Sequence, residues 1–216
     1  MNKIELIKAE RDGLEIKSEL QRFAEEGWES ISEDDIQRLK WYGLFLRNPT
    51  PGYFMLRVRI PNGFSFSHQV RALSWIAETY GNGVIDITTR QQVQLRHLKI
   101  KNIPKIFTLL EEVGLTTSQT GMDNVRNIMG CPVSGLSPKE KVDAYSLVKM
   151  LNEHIVGNPE FSNLPRKFNI TLSGCPDDCV HAETQDLALV PAVLEKGSDS
   201  VYGFNILVGG KLGSGG

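Results

Sequence analysis

Residues 163–181 read N-L-P-R-K-F-N-I-T-L-S-G-C-P-D-D-C-V-H. Apolar and polar residues alternate from Leu164 to Ser173, so we predict a strand there with one buried face. The other face carries Lys167 and Asn169, a cationic and hydrogen-bonding pair that indicates an anionic ligand. A glycine turn and two cysteines spaced C-x3-C follow the strand. From these residues alone the stretch is a metal site, an anion site, or only a strand and its turn.

The composition of the whole chain is that of a soluble globular protein, with 216 residues of which 40% are hydrophobic and 23% charged. A formal net charge of −2 gives no general basic field, which disfavours nucleic acid as a partner. We find no apolar run long enough for a membrane span, and no signal or transit peptide within Met1–Leu20. The odd number of cysteines, 3, disfavours a disulfide framework and predicts a reducing cytoplasm.

The first half of the chain predicts an N-terminal helical segment and then a compact α/β unit. The run N-P-T-P-G at 48–52 marks the predicted domain boundary. The elements predicted after it are strand Tyr53–Ile60, helix Ser67–Tyr80, strands Val84–Thr88 and Gln92–His97, and helix Ile103–Val113. This β-α-β-β-α order predicts a split βαβ, ferredoxin-like unit.

The second half predicts part of a larger mixed α/β domain. Its predicted elements are helix Pro138–His154 and strands Leu164–Ser173, Asp186–Val190 and Val201–Val208. The glycine-rich run 209–216 resembles a loop cut before its next element, so we expect the chain to be a fragment. The predicted fold class is therefore α+β. The predicted division is a helical segment at 1–47, a ferredoxin-like unit at 48–118 and the α/β domain at 119–216.

Three predicted strands carry basic or amide residues on one side only. These polar positions are Arg57 and Arg59 in the first strand, Gln92, Gln94 and Arg96 in the third, and Lys167 and Asn169 in the strand quoted above. Loop residues Arg90, Arg126 and Arg166 add positive charge. A solvated sheet face explains any single strand, but three in a near-neutral chain favour a ligand with several anionic groups. The chain contains no G-x-x-x-x-G-K-[ST] loop or G-x-G-x-x-G turn for binding phosphates.

The cysteines leave several interpretations open. Cys175 and Cys179 lack the two-residue spacer and the second pair of a zinc ribbon, although Cys131 and either His154 or His181 are available as further ligands. No Cys-His-Asn order indicates a catalytic thiol, and three thiolates are too few for a complete iron–sulfur cubane. We favour small buried residues beside a tight turn.

Six motifs between about Lys40 and Gly210 resemble those of a known family. They are K-W-Y-G-L-F, Y-F-M-L-R-V-R-I-P-N-G, I-T-T-R-Q-Q-V-Q-L-R, G-M-D-N-V-R-N-I-M-G-C-P-V-S-G, L-P-R-K-F-N-I and S-G-C-P-D-D-C-V-H-A-E. In these motifs the chain resembles the N-terminal part of a ferredoxin-dependent nitrite reductase, of the sirohaem nitrite and sulfite reductase family. The resemblance implies one half of a pseudo-symmetric reductase, in which each half is a ferredoxin-like unit plus a larger α/β unit.

The resemblance also implies cofactors and partners. The cofactors are sirohaem and a 4Fe-4S cluster, and the reaction is the six-electron reduction of nitrite to ammonia with reduced ferredoxin as the electron donor. Sirohaem is a polycarboxylate, which gives the cationic faces a chemical reason. The complete protein is expected to be a monomer in a cyanobacterium-like cytoplasm, with no nucleic-acid partner and no membrane span.

Individual residues take roles from the resemblance. Arg57, Arg126, Lys167 and Asn169 match the substrate-side residues of the family, with Lys167 as the expected proton donor and the two arginines as charge clamps. Asn169 stands where sulfite reductases usually have a second lysine, which favours nitrite. The implied sirohaem contacts are Arg59, Arg90, Gln92, Gln94, Arg96 and Arg166.

The cysteines depart from the family pattern. Family cluster ligands form a C-x5-C and a C-x3-C in the C-terminal half, whereas Cys175 and Cys179 resemble an echo of the second pair and Cys131 stands alone. We therefore expect none of the three to be a metal ligand. An assimilatory sulfite reductase and a non-catalytic tetrapyrrole-binding homodimer remain as alternatives, and a structural scaffold leaves the cationic faces unexplained.

Overall fold

The computed structural model describes residues 2–210. This part of the chain has an α+β architecture, with two four-stranded sheets and helices packed against them, so the predicted fold class is confirmed. The glycine-rich run at 209–216 lies mostly outside the described residues, so its interpretation as a cut loop stays a prediction. None of the helices within residues 2–210 is long and apolar enough to cross a membrane.

The N-terminal segment is helical as far as residue 42. Its helices are α1 (Lys3–Glu10), α2 (Leu20–Glu26) and α3 (Glu33–Arg38), with 3₁₀ turns at Gly13–Glu19, Trp28–Ser30 and Leu39–Tyr42. Asn2 and Ser32 cap α1 and α3 by accepting backbone N–H groups, which satisfies donors that a helix start leaves free. The buried Trp41 donates its indole N–H to Ser162 Oγ at 3.1 Å, which ties this segment to the second half of the chain.

The first sheet is antiparallel and has the order β1-β2-β4-β3. Its strands are β1 (Leu44–Arg47), β2 (Thr50–Val58), β3 (Ile85–Ile87) and β4 (Val93–Lys99), with helix α4 (Ser67–Tyr80) before β3 and α5 (Ile103–Glu112) after β4. A 3₁₀ turn at Pro61–Gly63 follows β2, and another at Ile100–Asn102 precedes α5. The predicted β-α-β-β-α order is confirmed. Strand β1 was predicted as helix, but it pairs with the free edge of β2.

The run at 48–52 is the turn and the start of β2 in a hairpin, so the predicted boundary divides a pair of hydrogen-bonded strands. The helical segment and the first sheet share one hydrophobic core, in which Phe23, Trp41, Leu56 and Leu95 are fully buried. Prolines and glycines mark a tight turn as readily as a linker, which is why composition alone placed a boundary here. The three-part division of the chain stays a prediction, but its first two parts pack as one unit.

The second sheet has the order β5-β6-β7-β8, in which the first three strands are parallel and the last is antiparallel. Its strands are β5 (Met129–Gly130), β6 (Ile170–Leu172), β7 (Leu187–Lys196) and β8 (Asp199–Val208), with helix α6 (Ala144–Ile155) between β5 and β6. Short 3₁₀ turns lie at Pro159–Phe161 and Ala182–Thr184. A second core, which includes Val125, Ile128, Val148 and Leu172, joins α6 to this sheet.

Helix α6 begins later than predicted. The sequence indicates a helix from Pro138, but the helix starts at Ala144 because Asp143 acts as its N-cap and accepts the Ser146 N–H at 3.1 Å. The carboxylate also accepts from the Ser146 hydroxyl, and these hydrogen bonds lower the pKa of Asp143. An aspartate side chain that binds the backbone in this way favours the start of a helix over its interior. The spacing of apolar residues gives no information about where that start lies.

The strand predicted at Leu164–Ser173 is also shorter than expected. Regular pairing covers only Ile170–Leu172, and Phe168 adds a single bridge to Val125. Strand β6 lies between two neighbours in the sheet, and Thr171 within it and Ser173 just after it are buried. The polar face of the predicted strand therefore opens only at its N-terminal end.

Polar side chains join the two sheets around the loop at 89–91. The side-chain amide of Gln91 forms two hydrogen bonds with the backbone of Gly130. Its Nε2 donates to the Gly130 carbonyl at 2.7 Å, and its Oε1 accepts the Gly130 N–H at 3.1 Å. The Asn127 amide donates to the carbonyls of Ile60 and Arg90 at 2.8 and 2.9 Å. At position 130 a Cβ atom would overlap the side chain of Asn62, so only glycine fits this junction.

Candidate functional site

A cavity of about 620 Å³ opens where the two sheets meet. Three of its lining residues, Arg90, Lys167 and Asn169, belong to the predicted site. The other lining residues are Thr89, Gln91, Met129, Cys179, Val180, His181, Thr184 and Gln185. Because Lys167 and Asn169 precede β6 and Arg90 precedes β4, the cavity depends on the packing of one sheet against the other.

Arg57 and Arg126 form a pair next to Arg90. The Nη1 atoms of Arg57 and Arg126 both donate to the Thr120 carbonyl, at 3.1 and 2.9 Å, so the two guanidinium groups meet at one oxygen atom. The Arg57 guanidinium also lies over the ring of Phe45, 4.9 Å from its centroid. Arg90, which lines the cavity and donates to Asn169, lies close enough to lower the pKa of Arg57 and Arg126, so it links this pair to the cavity.

The positive charges of this arginine cluster (Arg57, Arg90 and Arg126) are poorly compensated. Burial and the charge of Arg90 lower the pKa of Arg57, and burial with the charges of Arg57 and Arg90 lowers the pKa of Arg126 to about 10. Asp123 opposes this effect on Arg126, but its carboxylate is also bound by Lys8 at 3.1 Å. Buried Nε atoms of Arg57 and Arg126 have no hydrogen-bond partner among the described residues. This arrangement favours the binding of an anion.

Arg59 lies in the interior, which corrects its predicted role as a sirohaem contact. Its side chain is 1% exposed, and the three guanidinium nitrogens donate at 2.7 to 3.3 Å to five acceptors. The acceptors are the carbonyls of Ser118, Gln119, Val125 and Arg126, and Asn152 Oδ1. Burial and the charge of Arg126 lower the pKa of Arg59 to about 9, so it remains charged at neutral pH. Arg59 holds the two halves of the chain together.

The other predicted sirohaem contacts lie in different surroundings. Gln92 is 1% exposed and its Nε2 has no hydrogen-bond partner among the described residues, so its contact with sirohaem stays a prediction. Gln94 is half-buried and pairs across the strands with Arg57. Arg96 forms an ion pair with Asp86 on β3. Arg166 is exposed next to Lys167.

Asn169 is held at both ends. Its Oδ1 accepts from Arg90 Nε at 3.1 Å, and its backbone N–H donates to Asp186 Oδ2 at 2.7 Å. Asn169 therefore orients Arg90 as well as facing the cavity, where the exposed Lys167 lies two residues away.

Sequence reasoning missed the residues that position the site. Gln91 and Asn127 lie inside the quoted motifs, and their amides could have been recognised as supports for a loop. Lys8 gave no local signal: from α1 it donates to Asp123 Oδ2 at 3.1 Å and to the Leu164 carbonyl at 2.9 Å. Lys8 thereby links the segments that carry Arg126 and Lys167.

The described residues contain no group of three or more His, Cys, Asp or Glu side chains arranged to hold a metal ion. Cys131 and Cys175 are buried and Cys179 is exposed. Burial and, to a smaller extent, the neighbouring Cys175 raise the pKa of the Cys131 thiol to about 11.

Replacing Arg126 with methionine should leave the free energy of unfolding unchanged or raise it by about 1 kcal/mol. The substitution removes a buried charge that is repelled by Arg57 and Arg90, while Arg57 still satisfies the Thr120 carbonyl. Urea unfolding of the 216-residue chain measures the effect.

Arg38→Met is the matched control. Arg38 is also buried but has partners: it pairs with Glu10 and Asp35 and donates to the Ile7 carbonyl. Its loss should cost about 3 kcal/mol. An equal loss for Arg126→Met would contradict the absence of compensation in the arginine cluster.

Both halves of the chain are similar to known protein domains. Residues 47–113 match the family model described as the nitrite/sulfite reductase ferredoxin-like half domain, and residues 121–216 match the nitrite and sulphite reductase 4Fe-4S domain. The chain is 51% identical over 216 residues to a ferredoxin–nitrite reductase of Leptolyngbya laminosa, an alignment that covers 97% of this chain and 42% of that protein. The chloroplastic ferredoxin–nitrite reductase of Arabidopsis thaliana is 41% identical over 97% of this chain and 38% of its own length.

A solved structure agrees with these similarities. The Mycobacterium tuberculosis NirA protein has a TM-score of 0.88 and 28% identity to this chain, covering 97% of it and 41% of the NirA chain. The chain therefore spans about two fifths of the length of the relatives it matches. With both domain models matched in order and these likenesses over nearly all of its residues, the chain belongs to the nitrite and sulphite reductase family.

Proposed function

We propose that this chain supplies the anion-binding half of a reductase that converts nitrite to ammonia with six electrons from reduced ferredoxin. The observation that carries the proposal is the arginine cluster beside a cavity lined by Lys167 and Asn169. Relatives named ferredoxin–nitrite reductase support nitrite as the substrate and ferredoxin as the donor. The complete protein is proposed to be a cytoplasmic monomer.

The residues present fit sirohaem. A polycarboxylate macrocycle would compensate the positive charge of the arginine cluster, whose members lower one another's pKa. The proposed contacts to the cofactor stay Arg90, Gln92, Gln94, Arg96 and Arg166. When bound, sirohaem supplies an iron that accepts electrons and binds the substrate anion.

The side chains have separate proposed tasks. The Arg57 and Arg126 guanidinium groups attract nitrite and stabilise negative charge, and their burial makes each interaction stronger than it would be in water. Lys167 carries a proton on Nζ at the cavity wall, from which it can be given to a substrate oxygen as an N–O bond breaks. Asn169 keeps Arg90 aimed at the cavity.

The cysteines do not fit a 4Fe-4S cluster. The described residues offer two buried thiols and an exposed one, with no further ligand assembled around them. We therefore place the cluster ligands in the part of the relatives that this chain does not span. Stoichiometric iron and sulfide in the purified 216-residue chain would overturn this assignment.

The complete protein that contains this chain tests the proposed function. Reduced ferredoxin and nitrite should give ammonia in a ratio of six electrons per nitrite, and the protein should show the visible absorption of sirohaem. Tetrapyrrole absorption in a homodimer without turnover of nitrite or sulfite would instead identify a tetrapyrrole-binding protein. A preference for sulfite would identify the assimilatory sulfite reductase.

In that complete protein, Asn169→Lys should raise the turnover of sulfite relative to nitrite by roughly tenfold. The new lysine adds a positive charge next to Arg90, which favours sulfite as the more highly charged anion. It also removes the Asn169 oxygen that accepts from Arg90. Steady-state rates with both anions measure the ratio. Asn169→Met is the control without a charge, and an equal shift in that variant would show that charge is not the cause.

A further inference from the structure

Lys167 is the last residue of a short loop that is held at its two ends. The loop comprises residues 165–167, which are all exposed and make no hydrogen bond to other described residues. On either side of it, the Leu164 N–H and the Phe168 N–H donate to carbonyl groups of the segment at 123–124, at 2.8 and 3.0 Å. The position of the Lys167 ammonium group therefore depends on how firmly these two ends are fixed.

The three residues before the loop, at 162–164, form a loop entry that is bound by side chains of the N-terminal segment. The contacts are Trp41 Nε1 to Ser162 Oγ at 3.1 Å, Asn163 Nδ2 to Asp12 Oδ2 at 2.8 Å, and Lys8 Nζ to the Leu164 carbonyl at 2.9 Å. Asn163 has a φ of 54°, in the left-handed region, so the chain turns sharply within the loop entry. Three consecutive contacts from the N-terminal segment thus set the point at which the loop begins.

Lys8 makes the contact nearest to the loop. Its side chain is 6% exposed, and its Nζ also binds Asp123 Oδ2 at 3.1 Å and Glu5 Oε1 at 2.6 Å. Burial lowers the pKa of Lys8, but the hydrogen bonds to these two carboxylates and their charges raise it overall, so Lys8 is charged at neutral pH. Because the Asp123 carbonyl accepts the Leu164 N–H, Lys8 holds both partners of the hydrogen bond that begins the loop.

We propose that Lys8 is a positioning residue for the proton donor: together with Asp12 it fixes the loop entry, so that Lys167 stays at the cavity wall. This inference rests on the proposed function, which assigns to Lys167 the proton given to the substrate. The N-terminal segment then determines the rate of proton delivery, although the cavity-lining residues all lie beyond position 88. A displacement of about 1 Å in a reacting group is enough to lower a rate by as much as 10²-fold.

In the complete protein, Lys8→Met should lower the turnover number for nitrite by roughly tenfold, because the loop entry loses its charged support. In a Lys167→Met background the same change should have no further effect, since the group that Lys8 positions is already absent. Steady-state rates of the two single variants and the double variant measure this difference. An equal fall in both backgrounds would show that Lys8 supports the protein only in a general way, and would overturn the proposal.

Lys3→Met is the matched control on the same helix. Lys3 is exposed and pairs with Glu33 and Asp34, so its replacement should leave the turnover number unchanged. A tenfold fall in this variant as well would assign the effect to any loss of charge from α1 and contradict a specific role of Lys8.

Hydrogen exchange followed by mass spectrometry gives a readout that is independent of turnover. In the complete protein, Lys8→Met should make the peptide at 162–168 exchange roughly tenfold faster, while peptides of α6 keep their rates. Faster exchange of this peptide in a protein whose wild type does not reduce nitrite would support the loop assignment and contradict only the proposed function.

Asp12→Asn is a second and milder variant for the same measurement. The asparagine keeps an oxygen for the Leu14 N–H but replaces the oxygen that accepts from Asn163. It should raise the exchange of the peptide at 162–168 even if Lys8→Met exchanges faster throughout the chain. Unchanged exchange of this peptide in both variants would overturn the proposal.

Discussion

Arg59→Met is expected to lower the free energy of unfolding of the chain by roughly 3–5 kcal/mol, as measured by urea unfolding. The guanidinium group serves five oxygen acceptors, four of which are backbone carbonyls of the segment at 118–126. Methionine matches the length of the arginine stem but leaves these buried acceptors without donors, and each such loss is costly. Since Asn152 on α6 is also a partner, the damage should extend to the contact between the two sheets.

Two further variants separate the cause from a general effect of arginine replacement. Arg59→Lys keeps the charge but has no planar fork to reach all five acceptors, so it should recover only part of the lost stability. Arg22→Met removes an exposed arginine paired with Glu19 and Glu26 and should change stability by less than about 0.5 kcal/mol. Nearly wild-type stability of Arg59→Met would contradict the role of Arg59 as a structural link.

Lys167→Met is expected to lower the turnover number for nitrite by roughly 10²–10³-fold in the complete protein, measured as ammonia formed with reduced ferredoxin. Lys167 is an exposed cation on the cavity lining, two residues before Asn169 in the sequence. Methionine removes both its charge and its proton while keeping a side chain of similar length. The rate should therefore fall more than the affinity for nitrite.

Lys167→Arg distinguishes proton delivery from charge. Arginine keeps the positive charge but does not release a proton at neutral pH, so the variant should bind nitrite well and still turn over slowly. Lys149→Met serves as the matched control because Lys149 is exposed on α6 and close to Glu153. Full activity of Lys167→Arg would show that Lys167 acts through its charge alone.

Much of the first sheet was predictable because its elements are coded locally. Helix α4 has the predicted bounds Ser67–Tyr80, since a run of apolar residues at helical spacing ends at glycine. The strand order β-α-β-β-α also follows from period and punctuation. Strand β1 was not predictable in this way, because Leu44–Arg47 becomes a strand only by pairing with the edge of β2.

The candidate site was predictable in its residue types but not in their surroundings. Arg57 and Arg59 alternate with apolar residues in the strand predicted at Tyr53–Ile60, which gives both residues the same face and the same apparent role. In the fold, Arg57 meets Arg126 at the Thr120 carbonyl, whereas Arg59 is covered by the segment at 118–126. The cover comes from residues about 60 positions away in sequence, which period-two alternation cannot register.

The sequence by itself determined the fold class, the order of elements in the first sheet and the family motifs that contain Arg57, Arg126, Lys167 and Asn169. These features depend on neighbours a few residues apart, through period, turn residues and side-chain type. Only the tertiary structure decided which cations lack a partner and that Lys8 and Gln91 hold the site in place. Burial and pairing arise from contacts between distant segments, and these contacts exist only once the two sheets have packed together.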